Sequence, residues 1–249
     1  MPKTLIAGNW KMHKTAAETV AFLDVFLPLS GSFEDDIDVA IAPPFTSLSA
    51  AHERLRGQRR ISLAAQNVHW EPQGAFTGEI SIPMLAEAGV RYTIVGHSER
   101  RQHCFETDAA CNLKVKALLA HGMTPILAVG ETFEERRAGK ADERLASQTR
   151  AGLSGLRRAD VARVVVAYEP IWAIGTGHNC DPVEADRAMS SIRACVDGLS
   201  EAPLLYGGSM KLDNVAAYMA QPNINGGLVG GASLDPAAFA ALVIAARPA

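Results

Sequence analysis

Three ionisable residues of complementary type stand immediately after short apolar runs that are far apart in the chain. Lys11 ends Gly8-Asn9-Trp10-Lys11, His97 follows Val95-Gly96 and opens the polar stretch to Arg101, and Glu169 follows Ala167-Tyr168. A carboxylate can remove a carbon-bound proton, an imidazole can donate or shuttle one, and an ammonium can stabilise the negative charge that develops. Taken singly, each has a plain reading: a solvated lysine, a structural histidine, a surface carboxylate. Glu169 fits the plain reading least. It is followed by Pro170-Ile171-Trp172-Ala173-Ile174-Gly175-Thr176-Gly177, a mostly apolar segment bounded by a proline and a Gly-x-Gly pair. Such a segment makes sense as a lid that closes over the carboxylate, excludes water and raises its basicity. His97 is placed near a possible helix N-terminus, which favours the neutral imidazole.

Two glycine pairs add a candidate anion seat: Tyr206-Gly207-Gly208-Ser209 and Val229-Gly230-Gly231-Ala232-Ser233. Paired glycines let the backbone come close to a ligand and turn successive N–H groups toward it. The seven histidines form no H-x-H or H-E-x-x-H arrangement, so no metal is expected. No G-x-S-x-G nucleophile elbow occurs either.

Elements that could hold these residues recur from end to end. β-branched or apolar runs occur at Leu5–Ala7, Val39–Ile41, Ile61–Leu63, Tyr92–Val95, Ile126–Val129, Val164–Val166, Leu204–Tyr206 and Leu228–Val229. Helical stretches are expected between them at Ala16–Phe26, Ala109–Ala120, Glu134–Leu153, Pro182–Leu199 and Pro236–Ala246. Asp181-Pro182 and Asp235-Pro236 read as N-cap and first helical residue, and Gly89 and Gly122 as helix C-terminal caps. Strands without polar alternation are buried on both faces, as in a parallel sheet covered by helices. A continuous series of βα units predicts a single (β/α)₈ barrel over residues 1–249 rather than an open doubly wound sheet. An open sheet would call for G-x-G-x-x-G after an early strand, whereas Gly175-Thr176-Gly177 comes late and lacks the third glycine. In a barrel the functional groups lie at the C-terminal strand ends, with the usual phosphate seat after the seventh and eighth strands. Lys11, His97, Glu169 and both glycine pairs occupy such positions.

The formal charge of −3 gives no electrostatic reason to expect nucleic acid, and an anionic substrate needs a local positive site. Four cysteines without C-x-x-C spacing read as reduced thiols. No apolar run approaches the roughly 18 residues needed to span a bilayer, so a cytoplasmic protein is expected.

Together these segments resemble the triosephosphate isomerase family. The resemblance rests on Ala7–Met12, Gly74–Glu79, Val95–Arg101, Tyr168–Gly177, Tyr206–Ser209 and Leu228–Ser233, in order from the first strand to the eighth. It implies a TIM barrel that interconverts dihydroxyacetone phosphate and glyceraldehyde 3-phosphate without metal or cofactor. By position, Glu169 is implied as the base, His97 as the neutral electrophile and proton shuttle, and Lys11 as the cation on the enediolate. Asn9 is implied to orient the substrate. The backbone of Gly175, Ser209, Gly230 and Gly231 is implied to bind the phosphate, and Glu99 to engage Lys11 in an open form. Trp172 and Ile174 of the lid protect the intermediate in this reading. The Gln66–Glu79 segment is implied to dock into a second subunit, giving a homodimer. Two departures stand out: His178-Asn179-Cys180 at the lid exit, where a Lys-Thr-Ala hinge is common, and Leu212 where proline is frequent. Another phosphosugar barrel enzyme, or a barrel that only binds, shares the glycine pairs but gives no reason for Lys11, His97 and Glu169 to coexist with this lid.

Overall fold

The computed structural model describes residues 2–173 and 179–247. Among them, strands β1 (Thr4–Asn9), β2 (Ile37–Ala42), β3 (Ile61–Ala65) and β4 (Val90–Val95) form one half of a parallel sheet. The other half is β5 (Thr124–Val129), β6 (Val165–Tyr168), β7 (Leu204–Tyr206) and β8 (Gly226–Val229). Neighbours in sequence are neighbours in space, and β8 pairs with β1 in the register Leu5↔Gly226 to Gly8↔Val229, which closes the barrel. The expected (β/α)₈ architecture is therefore present.

Period-two alternation divides the core into two layers. Leu5, Ala7, Ala40, Ala42, Ala64, Tyr92, Ile94, Ile126, Ala128, Val165, Ala167, Leu205 and Leu228 form a cluster made only of strand residues, the barrel interior. The intervening residues, such as Ile6, Ile41, Leu63, Leu127, Val166 and Tyr206, pack outward against the helices. This two-sided burial is why the strands read as unbroken apolar runs.

Helices α1 (Ala16–Leu29), α2 (Leu48–Leu55), α3 (Ile82–Glu87), α4 (Ser98–His103), α5 (Asp108–Ala120) and α6 (Phe133–Arg137) follow the first five strands. Then come α7 (Ala141–Gly152), α8 (Arg158–Val161), α9 (Pro182–Ala194), α10 (Val215–Met219) and α11 (Pro236–Ala245). Their starts are chemical. Asp181 accepts from the N–H groups of Val183 and Glu184, Asp235 from that of Ala238, and Thr15 and Thr132 each form a reciprocal capping box with Glu18 and Glu135. Gly89 and Gly122 take φ of 69° and 75° just past α3 and α5, the left-handed caps their positions suggested.

Three helical expectations need correction. The helix expected over Pro182–Leu199 is α9, which ends at Ala194. The stretch expected as one helix over Glu134–Leu153 is two, α6 and α7, because Gly139 adopts φ 69° between them. The helix expected to end at Phe26 continues to Leu29, and Pro28 is tolerated in its last turn.

The first and last helices meet on an aromatic seam. The ring of Phe26 stands 5.3 Å from Phe22, 5.6 Å from Phe33 and 5.3 Å from Phe239 of α11. Phe26 is fully buried. Phe26→Ala should cost about 3–5 kcal/mol of folding stability, the range for deleting a buried aromatic, read as a lower urea midpoint with an unchanged transition slope. A midpoint equal to the parent's would show that the seam does not hold the layer closed.

Candidate active site

The alternation that builds the interior also delivers the candidate residues to its mouth. In β1, Leu5 and Ala7 point inward and Asn9 is the next residue in phase; in β6, Val165 and Ala167 lead to Glu169. Leu205 leads likewise to Gly207, and Leu228 to Gly230. Lys11 continues the β1 series with φ 51°, and its N–H donates to Asn9 Oδ1 at 3.0 Å. At β4 the phase breaks. Gly96 has φ 72°, and a Cβ there would lie 2.8 Å from Cys111 Sγ and 2.7 Å from Arg101 Nη2. The turn thus needs glycine, and it sets His97 as the N-cap of α4.

Asn9, Lys11, His97, Ser209, Gly230 and Gly231 line one cavity of about 240 Å³. Gly230 precedes a 3₁₀ turn over Gly231–Ser233, and no side chain caps the start of that turn. Its leading N–H groups are of the kind that bind anions. The turn is anchored by the Trp10 indole, which donates to the Ser233 carbonyl at 3.0 Å. Glu169 does not line the cavity. It is 1% exposed and touches His97 from the side. Gly175, and with it Ile174 and His178 of the lid expectation, lies outside the described residues.

Lys11, His97 and Glu169 each have a partner. Lys11 Nζ meets Glu99 Oε1 at 2.6 Å, the contact expected of an open form. The Ser98 N–H donates to Glu169 Oε2 at 2.8 Å, and His97 Nε2 lies 2.9 Å from Glu169 Oε1. That second contact is close but poorly aligned, so Oε1 has no well-directed donor among the described residues. His97 Nδ1 accepts from the Glu99 N–H at 3.2 Å. A backbone N–H can only donate, so this contact favours an unprotonated Nδ1, and in the neutral ring the tautomer with its hydrogen on Nε2.

Two electrostatic expectations change here. Burial pushes the Glu169 carboxyl up, but His97 and the Ser98 N–H outweigh it and hold the group below its ordinary value. The raised basicity expected of a desolvated base is thus not a property of this arrangement, because the carboxylate is turned onto two donors. Burial likewise disfavours the His97 imidazolium, but the adjacent Glu169 charge carries its pKa above the ordinary 6.5. The helix N-terminus is where the sequence suggested; the neighbouring carboxylate dominates.

The lid's leading flank is held by a residue that sequence reasoning passed over. Glu131, fully buried after β5, accepts from Trp172 Nε1 at 2.8 Å and from the Tyr168 hydroxyl at 3.1 Å. Burial pushes its carboxyl upward. The guanidinium of Arg136 stacks 4.7 Å from the Trp172 ring and reaches Glu184 of α9 at 3.2 Å. The rule applied to the other strands, that polar residues just past an apolar run face the mouth, would have found Glu131 two residues beyond Val129. Cys180, at the trailing flank, is buried, and burial pushes its thiol to about 12, so it is not a nucleophile at neutral pH. Among the described residues no group of His, Cys, Asp and Glu gathers as a metal site, and no helix is long and apolar enough to cross a membrane.

Comparison with known proteins bears directly on this arrangement. The pattern of the family described as triosephosphate isomerase matches residues 4–246. The triosephosphate isomerase of Symbiobacterium thermophilum is 50% identical over 255 residues, spanning 100% of this chain and 99% of that one. Those of Acaryochloris marina and Nostoc punctiforme are each 51% identical over 243 residues, covering 98% of this chain and 99% and 98% of theirs.

The His97–Glu169 contact makes a titration prediction. Glu169→Gln removes the largest influence that raises the imidazole's pKa and leaves burial and Lys11, which lower it, against Glu99, whose carboxylate lies 3.6 Å from Nδ1. The His97 pKa, followed by ¹⁵N chemical shifts, should therefore fall relative to the parent protein. An unchanged or higher value would show that Glu169 does not set the charge of this ring.

Proposed function

The chain belongs to the triosephosphate isomerase family, and from that membership and the cavity's geometry we propose that Glu169, His97 and Lys11 carry out the family's proton transfer. The protein is an intramolecular aldose–ketose isomerase that interconverts dihydroxyacetone phosphate and glyceraldehyde 3-phosphate through an enediolate. The observation that carries the residue roles is the meeting, at one barrel mouth, of a carboxylate, an Nε2–H imidazole and an ammonium beside an uncapped glycine turn.

In this reading the phosphoryl group sits on the backbone N–H groups of Ser209, Gly230 and Gly231, with Gly175 added from the lid. Asn9 orients the substrate. Glu169 leaves Ser98 and His97 and takes the proton from C1 of dihydroxyacetone phosphate. The C–H electron pair becomes the C1=C2 bond, and the carbonyl pair moves to O2, next to Lys11 Nζ and His97 Nε2–H. His97 moves a proton between O2 and O1, and Glu169 returns its proton to C2. A Glu base acting with a neutral His is the chemistry of this family. No metal or cofactor enters the scheme.

The low basicity of Glu169 in its present contacts fits this sequence of events. A substrate that separates it from His97 and Ser98 removes both stabilising donors and leaves burial, so the carboxylate becomes a stronger base where it is needed. The same separation removes the charge that favours imidazolium, which keeps His97 neutral.

The reading extends to the whole chain, 1–249, as one barrel domain, to a cytoplasmic setting supported by four unpaired cysteines, and to a homodimer. The dimer is supported by apolar exposure around the Gln66–Glu79 loop. Met12, which shares a groove with Gln66 and Asn67, is 94% exposed, and Phe76 of the loop is half exposed. A groove of about 380 Å³ between Lys11, Phe45 and Glu99 is open to a second copy's loop. Gln66 Nε2 donates to the Lys11 carbonyl at 2.8 Å, which ties the root of that loop to the site.

Two measurements test these statements. Solvent deuterium should enter dihydroxyacetone phosphate at carbon, and Glu169→Gln should lower turnover by about 10²–10⁴-fold or more, the usual weight of a general base. Near-normal exchange in the variant would remove Glu169 from its role. In sedimentation at micromolar concentration the protein should run at twice the chain mass; a monomer of full activity would defeat the dimer.

A further inference from the structure

The charges around the cavity are nearly all spoken for. Lys11 is paired with Glu99 at 2.6 Å, and His97 is neutral and turned to Glu169. The chain as a whole carries a formal charge of −3, which repels an anionic substrate at long range. An enzyme for a phosphorylated substrate built only from these groups has little net attraction at its mouth.

One further cation lines the same cavity. Lys211 stands two residues beyond Ser209 and shares the cavity with Lys11, Ser209, Gly230 and Gly231. It is exposed, and among the described residues its ammonium makes no ion pair or hydrogen bond. Its backbone is nevertheless fixed. The Lys211 N–H donates to Asn214 Oδ1 at 2.8 Å, and Asn214 Nδ2 donates to the Ser209 carbonyl at 3.1 Å. One asparagine thus holds Lys211 to Ser209, so the charge is presented from a rigid turn and not from a loose tail.

We propose that Lys211 is a substrate-capture residue, an unpaired ammonium at the cavity rim that draws in the phosphoryl dianion and hands it to the backbone seat. The proposal rests on the isomerase reading of the cavity. An ammonium with no carboxylate partner keeps its full field toward solvent, and a cleft bordered by low-dielectric protein concentrates that field along the approach path. A dianion feels it twice as strongly as a singly charged ligand. Because Lys211 lies at the rim on the phosphate side, its work falls on association and ground-state binding, while the C–H cleavage occurs beside Glu169 and His97.

The test uses the full-length protein, glyceraldehyde 3-phosphate and unphosphorylated glyceraldehyde. At low ionic strength Lys211→Met should lower kcat/KM for the phosphate ester by about 3- to 10-fold, mainly through KM, and Lys211→Glu by more. Raising salt toward ~0.5 M should shrink the gap between the parent and both variants, because the Debye length falls well below ~10 Å. The far slower turnover of glyceraldehyde should follow the parent's in both variants, which separates lost capture from a disturbed site. Unchanged kcat/KM in Lys211→Glu at low salt overturns the proposal, and so does a loss that persists in high salt or extends equally to glyceraldehyde. Absence of isomerase activity in the parent protein would be a different failure, that of the site reading itself.

Discussion

Eight parallel strands closed on themselves leave one narrow interior, and every second residue must point into it. That constraint decides where most of the site's groups stand. Leu5, Ala7, Val165, Ala167, Leu205 and Leu228 fill the interior, and the next residues in phase, Asn9, Glu169, Gly207 and Gly230, come out at one end. A shift of one residue in β1 or β6 would turn Asn9 or Glu169 toward the helices and put a neighbouring side chain at the mouth. The site is precise because the packing that positions it is the packing that stabilises the fold.

His97 departs from that phase for a local reason. It follows Gly96, whose left-handed backbone turns the chain before α4 begins. This lets one histidine serve two masters: Nδ1 accepts from the first turn of its own helix, and Nε2 faces the cavity and Glu169. A side chain at Gly96 would collide with Cys111 and Arg101. Fixing the tautomer and aiming the ring are therefore a single event, settled by one glycine.

Charge is held in pairs that a ligand has to separate. Glu169 rests on Ser98 and His97, Lys11 on Glu99, and Trp172 on the buried Glu131. Each contact lowers the reactivity or the freedom of a group to which we assign a part in the reaction. In that proposed scheme substrate binding energy is spent on releasing these residues, and a base and an electrophile arise only where substrate is present. Among the described residues Lys211 is the cation on the cavity wall outside such a pair, which suits it to the capture role we propose, one that precedes the chemistry.

The sequence by itself determined the barrel, the strand ends and most of the residues at the mouth. Local signals suffice for these: apolar runs spaced by helices, Asp-Pro starts, glycine pairs after the last two strands. It misjudged Glu134–Leu153 because one glycine's backbone angle, and not its neighbours' helix preference, ends α6. Only the tertiary structure decided the electrostatics. Whether burial raises Glu169 or two donors lower it depends on atoms contributed by residues 71 or 72 positions away, and the upward shift of His97 comes from the same encounter. Glu131 stood at a legible strand end, but its partners Trp172 and Tyr168 are set by the tertiary structure alone. Periodicity along a chain specifies which way a side chain points; what it meets there depends on contacts between strands that the chain order keeps apart.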